Sequence, residues 1–257
     1  MRRLRHALLG WMLLILSQVA HAGQIVIAAA ADLKFAMDEI VAAFQRVEPG
    51  HQVQVVYGSS GKFHTQIQQG APFDLYFSAD IAFPRALHQQ GLAASEVKPY
   101  AVGRLVLWSA TRDARKWTLS DLTSPQMVRV AIANPKHAPY GQRAVEALRA
   151  AGVWPQVEPK LVYGDNIAQT AQFVQTGNAD VGIIALSLAL NPALSRQGGY
   201  ALVPDQLHQP LEQGFIVTQR AQANPLAKRF ANFMGGPQAR AVMVRHGFTL
   251  PHEQPSR

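Results

Sequence analysis

The run Ala28-Ala29-Ala30-Ala31-Asp32-Leu33 closes an apolar stretch that begins at residue 24, and it opens onto Leu33, Met37, Ile40, Val41 and Phe44 at helical spacing. A strand that gives way through small residues to an amphipathic helix is the repeating unit of α/β proteins. The same transition recurs where residues 53–59 run into Ser60, where 129–139 run into Tyr140, and where 161–165 run into Asn166. Each junction sets backbone N–H groups and the positive end of a helix dipole at the tip of a strand, which suits an anion without requiring a charged side chain. Two such junctions in each half of the chain predict one anion held between two lobes.

The remaining elements follow from the same periodicities. Strands are expected at 52–57, 74–78, 104–109, 128–133, 160–163, 180–185 and 215–218, and helices at 81–90, about 140–151, 166–175, 225–234 and 237–246. Gly91, Gly152 and Gly177 stand where three of those helices should stop. Parallel α/β layers are the fold class this alternation implies. Trp108 and Phe215 sit on apolar strand-like runs and read as core.

Residues 1–22 read as an export signal: Arg2, Arg3 and Arg5 precede an apolar core at 7–16, and Ala20-His21-Ala22 offers a small-x-small cleavage site before Gly23. That core is shorter than the roughly 20 residues a bilayer span needs, and no Cys follows it to carry a lipid. Removing 22 residues and three arginines from a 257-residue chain of net charge +8 leaves a mature chain of 235 residues and +5. With no cysteine, disulfides and thiolate metal sites are ruled out. Lys and Arg are scattered, which argues for a solvated basic surface that steers anions and against a nucleic-acid partner.

Catalytic motifs do not assemble. Ser59-Ser60-Gly61-Lys62 spells S-x-x-K, but the companion S-D-N and K-T-G tripeptides do not occur. The spacing of Gly58, Gly61 and Lys62 is not that of a phosphate-binding P-loop. The histidines form no H-x-x-x-H pair; His64, His88, His208 and His252 read as surface residues, and His137 as a loop residue near the cleft without a carboxylate partner. Ser60 at a helix start is a natural N-cap, and Lys62 is expected to be solvated. Asp32 facing a dianion would cost about 4 kcal/mol for each pair of unit charges 4 Å apart at an effective dielectric near 20. Its carboxylate is therefore expected to cap the following helix, the alternative being a proton acceptor for a protonated oxyanion.

The ordered set of Ala28-Ala29-Ala30-Ala31-Asp32-Leu33, Gly58-Ser59-Ser60-Gly61-Lys62, Phe77-Ser78-Ala79-Asp80, Gly103-Arg104-Leu105-Val106-Leu107-Trp108-Ser109, Ala133-Asn134-Pro135-Lys136-His137-Ala138-Pro139-Tyr140-Gly141 and Ala179-Asp180-Val181-Gly182-Ile183 resembles the periplasmic molybdate/tungstate-binding proteins of ABC importers. Pro237-Gln238 and His246-Gly247-Phe248 fit the same family, so the resemblance spans the whole mature chain. It implies a type II periplasmic-binding fold with the ligand in an inter-lobe cleft and two crossover strands as hinge. The first lobe is expected at 23–103 plus 212–257 and the second at 104–211. It further implies a monomeric receptor, not an enzyme, that carries molybdate or tungstate to a membrane permease and needs no cofactor. Carried over by position, Ala31, Asp32, Ser60, Tyr140 and Ile167 are the oxyanion-binding residues, mostly through backbone N–H groups. The family more often has Ser, Thr or Asn where Asp32 stands, and some relatives use a tyrosine hydroxyl near the position of Ala185. Two alternatives accompany this reading: a phosphate-like or carboxylate ligand on the same fold, and a secreted hydrolase with Ser60 as nucleophile.

Overall fold

The alternating side chains of the first strand explain the architecture of the first lobe. In a computed structural model that describes residues 23–251, β1 (Gln24–Ala30) buries Ile25, Ile27 and Ala29 on one face and Ala28 on the other. The first face meets Leu33, Met37, Ile40 and Phe44 of the following 3-10 turn and α1 (Lys34–Val47), together with Phe230. The opposite face meets Phe63 and Ile67 of α2 (Ser60–Gln68) and Leu87 of α3 (Ala82–Gln89). Helices on both faces of a sheet require strands that are apolar on both sides, which is what these residues supply. Residues 1–22, expected to be an export signal, and His252 lie outside the described residues.

Two five-stranded sheets result. The first has the order β2-β1-β3-β10-β4, with β2 at Gln52–Gly58, β3 at Leu75–Ser78, β4 at Lys98–Gly103 and β10 at Leu211–Val217. The second has the order β7-β6-β8-β5-β9, with β5 at Leu105–Ser109, β6 at Val130–Ala133, β7 at Leu161–Gly164, β8 at Val181–Ala185 and β9 at Gly199–Leu202. The strands β2-β1-β3 and β7-β6-β8 are parallel, whereas β10 runs antiparallel between β3 and β4, and β5 runs antiparallel between β8 and β9. The chain leaves the first sheet after Gly103 and returns to it at Leu211, which makes two α/β lobes joined by two crossings.

α4 (Pro139–Ala150) and α6 (Ile167–Gln175) cover the second sheet; α5 (Trp154–Val157), α7 (Leu186–Ala189) and α8 (Pro192–Ser195) are single turns. α9 (Pro225–Met234) and α10 (Pro237–Arg245) close the first lobe. Ala30, Ala31 and Ala79 of the first lobe pack into the same apolar cluster as the second lobe's Ala138, Tyr140 and Ile167, so the lobes are closed on one another. Trp108 and Phe215 are core residues.

The single turns α5, α7 and α8 were not expected, and three strands depart from the sequence-based expectation. β4 begins at Lys98-Pro99, which lacks the apolar start of a strand; it is the edge beyond β10, where Pro is tolerated, and its outer side makes only an isolated bridge from Val102 to Thr249. β9 follows Gly198 and was not expected at all. The strand expected from 215 begins at Leu211, because Glu212 and Gln213 interrupt its apolar pattern.

Candidate anion-binding site

The first N–H groups of a helix have no partner within it, and here most are satisfied nearby, leaving a small remainder. In α4, Pro139 has no N–H, while Gly141 and Gln142 both donate to the Ala138 carbonyl at 3.0 and 3.2 Å. Ala138 occupies the cap position without a side-chain cap, so Tyr140 is left over. In α6, the Asn166 side chain accepts from Ala168 and Gln169 at 3.0 Å each, and Thr170 donates to the Asn166 carbonyl at 3.1 Å. That leaves Ile167. In α2, Gly61 donates to the His137 carbonyl at 2.9 Å and Phe63 to that of Ser59 at 3.1 Å, which leaves Ser60 and Lys62, and of these only Ser60 lines the cavity described next. The 3-10 turn Ala31–Leu33 has no side-chain cap either, and Lys34 donates back to the Ala31 carbonyl.

These leftover positions converge. Ala31, Asp32 and Ser60 from the first lobe and Tyr140 and Ile167 from the second line one cavity, together with Ala30, Gly58, Ser59, Ala79, Ala138 and Pro139. The centre of a water-sized sphere can move through only ≈ 10 Å³ of it. The five residues singled out in the sequence thus lie around a single small space. All five are buried.

Ser60 is not an N-cap. Ser59 holds the cap position, without a side-chain cap, and Ser60 is the first helical residue. The Ser60 Oγ accepts from the Ala79 N–H at 3.0 Å, and its carbonyl accepts from the Tyr76 hydroxyl at 2.7 Å. With an amide directed at the oxygen, the hydroxyl proton is free to be donated elsewhere. Among the described residues no general base is hydrogen-bonded to the Ser60 hydroxyl.

Asp32 does not cap a helix; no side-chain cap is made at the start of either the 3-10 turn or α1. Its Oδ2 accepts from the Tyr140 hydroxyl at 3.0 Å and from the Gln213 amide at 2.7 Å, while Oδ1 is buried without a partner. Its carbonyl accepts from Ser187 Oγ at 2.8 Å. Tyr140 and Ser187 belong to the second lobe, so Asp32 is tied to it through both side chain and backbone. Burial pushes its pKa up to about 6, opposed by the hydrogen bonds from Gln213 and Tyr140 and then by the backbone N–H groups of Asp32 and Leu33. Burial, with the Asp32 charge nearby, also holds the Tyr140 hydroxyl well above its ordinary value.

The rim corrects two further expectations. Lys62 is not simply solvated, since it pairs across the cleft with Asp165, each side chain being about half exposed. His137 does have a carboxylate close by, with Nε2 lying 3.8 Å from Asp165. The Ser59 hydroxyl donates to the His137 carbonyl, so its oxygen is placed to accept from the imidazole Nδ1 at 2.9 Å. Burial, then the Lys62 charge, lowers the His137 pKa. On another side of the cleft, Arg143 reaches Asp80 at 3.4 Å.

Sequence reasoning missed Ala79, Gln213 and Ser187. Ala79 acts only through its N–H and leaves no signal in its side chain. Gln213 is a fully buried polar residue within a strand, a signal that becomes readable only once the strand is taken back to Leu211.

A family model described as bacterial extracellular solute-binding protein matches residues 25–249. This chain belongs to that family. Among relatives of this solute-binding protein, the molybdate-binding protein ModA of Rhodobacter capsulatus is 38% identical over 231 residues, covering 89% of each chain. ModA of Azotobacter vinelandii is 36% identical over 237 residues, covering 92% of this chain and 94% of its own. A solved periplasmic molybdate-binding protein from Azotobacter vinelandii superposes with a TM-score of 0.82 at 29% identity, covering 89% of this chain and all of that one. The solute-binding fold places its two lobes about the cavity just described.

Proposed function

We propose that this protein captures molybdate or tungstate in the periplasm and delivers it to the membrane permease of an ABC importer. The observation that carries the reading is the convergence of the unclaimed helix-start amides of Ser60, Tyr140 and Ile167, with the Ser60 hydroxyl, on one small cavity lined by buried residues. Hydrogen bonds from N–H groups to an ionised oxygen are the stronger kind, and exclusion of water strengthens them again. The metal atom of the oxyanion keeps its own oxygens, and the protein meets only those. So small a space disfavours sugars and amino acids, and the relatives named molybdate-binding proteins favour a tetrahedral oxyanion of that kind.

The two moving bodies in this reading are 23–103 with 212–257, and 104–211. Capture is closure of these lobes on the ligand, with no covalent step. The receptor acts as a monomer, and Ala31 lines the site through its backbone. Ser60, held by an amide rather than by a base, gives no support to a hydrolase.

Calorimetric titration of the mature chain with molybdate, tungstate, sulfate, phosphate and chromate tests the proposal. Molybdate and tungstate should bind much more tightly than sulfate or phosphate. A preference for phosphate, or no heat with molybdate and tungstate, would overturn it.

A further inference from the structure

Asp32 puts a carboxyl group on the wall of a cavity otherwise furnished with donors. Both side-chain hydrogen bonds to this group converge on one oxygen: Oδ2 accepts from Tyr140 and from Gln213, while Oδ1 is buried without a hydrogen-bond partner and only the backbone amides of Asp32 and Leu33 lie near the carboxyl group. An ionised carboxylate here would leave Oδ1 unsatisfied and would stand beside a dianion, both of them unfavourable. A neutral acid removes both. Because Oδ2 is fully used as an acceptor, its proton belongs on Oδ1, where it becomes one more donor.

Resting on the oxyanion reading above, we propose that Asp32 enters the closed complex as a neutral carboxylic acid whose Oδ1–H is donated to a ligand oxygen, so that one proton is taken up with each dianion bound. The same stoichiometry describes a singly protonated oxyanion donating to an ionised Asp32, since the proton lies on one line between the two oxygens.

The surroundings agree with this assignment. The titratable groups facing the carboxyl are Tyr140 from α4 and Tyr100 from β4, which reaches it through Gln213 and whose hydroxyl burial holds well above its ordinary value. From β10 comes the neutral Gln213, and from α7 the Ser187 hydroxyl, which takes the backbone carbonyl. The nearby charges among the described residues are engaged elsewhere: Lys34 with Asp38, Lys62 with Asp165, and Arg143 with Asp80 and Glu146. Among the described residues no cation stabilises an ionised Asp32. Its contacts to Tyr140 and Ser187 cross the cleft, so opening the lobes exposes the carboxyl to water, where it returns to an ordinary value of about 3.9.

The sign follows. A group whose value is higher in the bound state than in the free state favours binding at low pH and loses that advantage as pH rises. If the bound complex retains its proton throughout, the dissociation constant for molybdate should rise about tenfold per pH unit from about pH 6 to about pH 8. Titration calorimetry in two buffers of different ionisation enthalpy should report about one proton taken up per molybdate. In Asp32→Asn the amide can still donate, so molybdate should bind with no proton uptake and no pH slope. Thermal unfolding of the unliganded variant checks that it folds, and Asp32→Ser offers a second, smaller donor if it does not.

Wild-type protein that binds molybdate with no proton uptake would overturn the inference while leaving the proposed function intact. Unchanged uptake in the Asp32→Asn variant would also overturn it. A wild type that binds neither molybdate nor tungstate at any pH would instead remove the functional reading on which the inference rests.

Discussion

Replacing Ser60 by Ala removes one oxygen with two separable jobs. The first is to accept from the Ala79 N–H at 3.0 Å, deep inside the closed lobes. Losing it leaves a buried amide without a partner, a cost of about 1–3 kcal/mol that falls on the folded protein whether or not ligand is present. The second job is to donate to the oxyanion. A hydrogen bond to a charged group contributes about 1.5–3 kcal/mol, equivalent to about a ten- to 150-fold weaker dissociation constant. The two effects separate experimentally, since unfolding of the unliganded variant reports the first and molybdate calorimetry the second. If the affinity is unchanged while stability falls, Ser60 serves only to hold Ala79, and the donor set of the site is wrong.

Gly61→Ala tests closure itself: a Cβ there would lie 2.7 Å from the His137 carbonyl oxygen and 3.0 Å from its Cα, both in the opposite lobe. The open protein should unfold normally while ligand affinity drops by about 1–3 kcal/mol, the range for overpacking, and normal affinity in calorimetry would show that the lobes close less far. Glu39 accepts from Arg245 and from His246 at 2.9 Å, contacts that hold its carboxyl below the ordinary range, His246 contributing most. A depressed carboxylate stabilises the fold above its unfolded pKa and loses that effect as pH falls through its folded one. Glu39→Gln should therefore lower the melting temperature at neutral pH, with the difference shrinking in acid; a constant difference across pH would refute the ionic origin.

The parts of this molecule legible from sequence were those fixed by neighbouring residues. The junctions at Asp32, Ser60, Tyr140 and Asn166 show a change of period from two to 3.6 across a few small residues, and each does begin a helix or a 3-10 turn that leads into one. The roles of Asp32, Lys62 and His137 were not legible, because each is settled by a residue far along the chain. Asp32 meets Tyr140 and Gln213, Lys62 meets Asp165, and His137 meets Ser59. Local rules offer Asp a cap and Lys a solvent shell by default, and only the tertiary arrangement can override them. β4 and β9 were hidden for a related reason: an edge strand has a neighbouring strand on one side only, so it can carry Lys98-Pro99 or follow Gly198 without an apolar signature.

The position of β10 has a consequence for the order in which the molecule can be made. That strand lies between β3 and β4, yet it begins at Leu211, more than a hundred residues after both. All five strands of the second sheet, by contrast, fall within one uninterrupted run from Leu105 to Leu202. As the polypeptide emerges N-terminus first, the later lobe can therefore complete its sheet before the earlier one. Until the last fifth of the chain arrives, the apolar strand Leu75–Ser78 has an open edge, the kind of edge that invites mispairing. Truncation just before Leu211 should yield a well-formed second lobe attached to a sticky, unfinished first one.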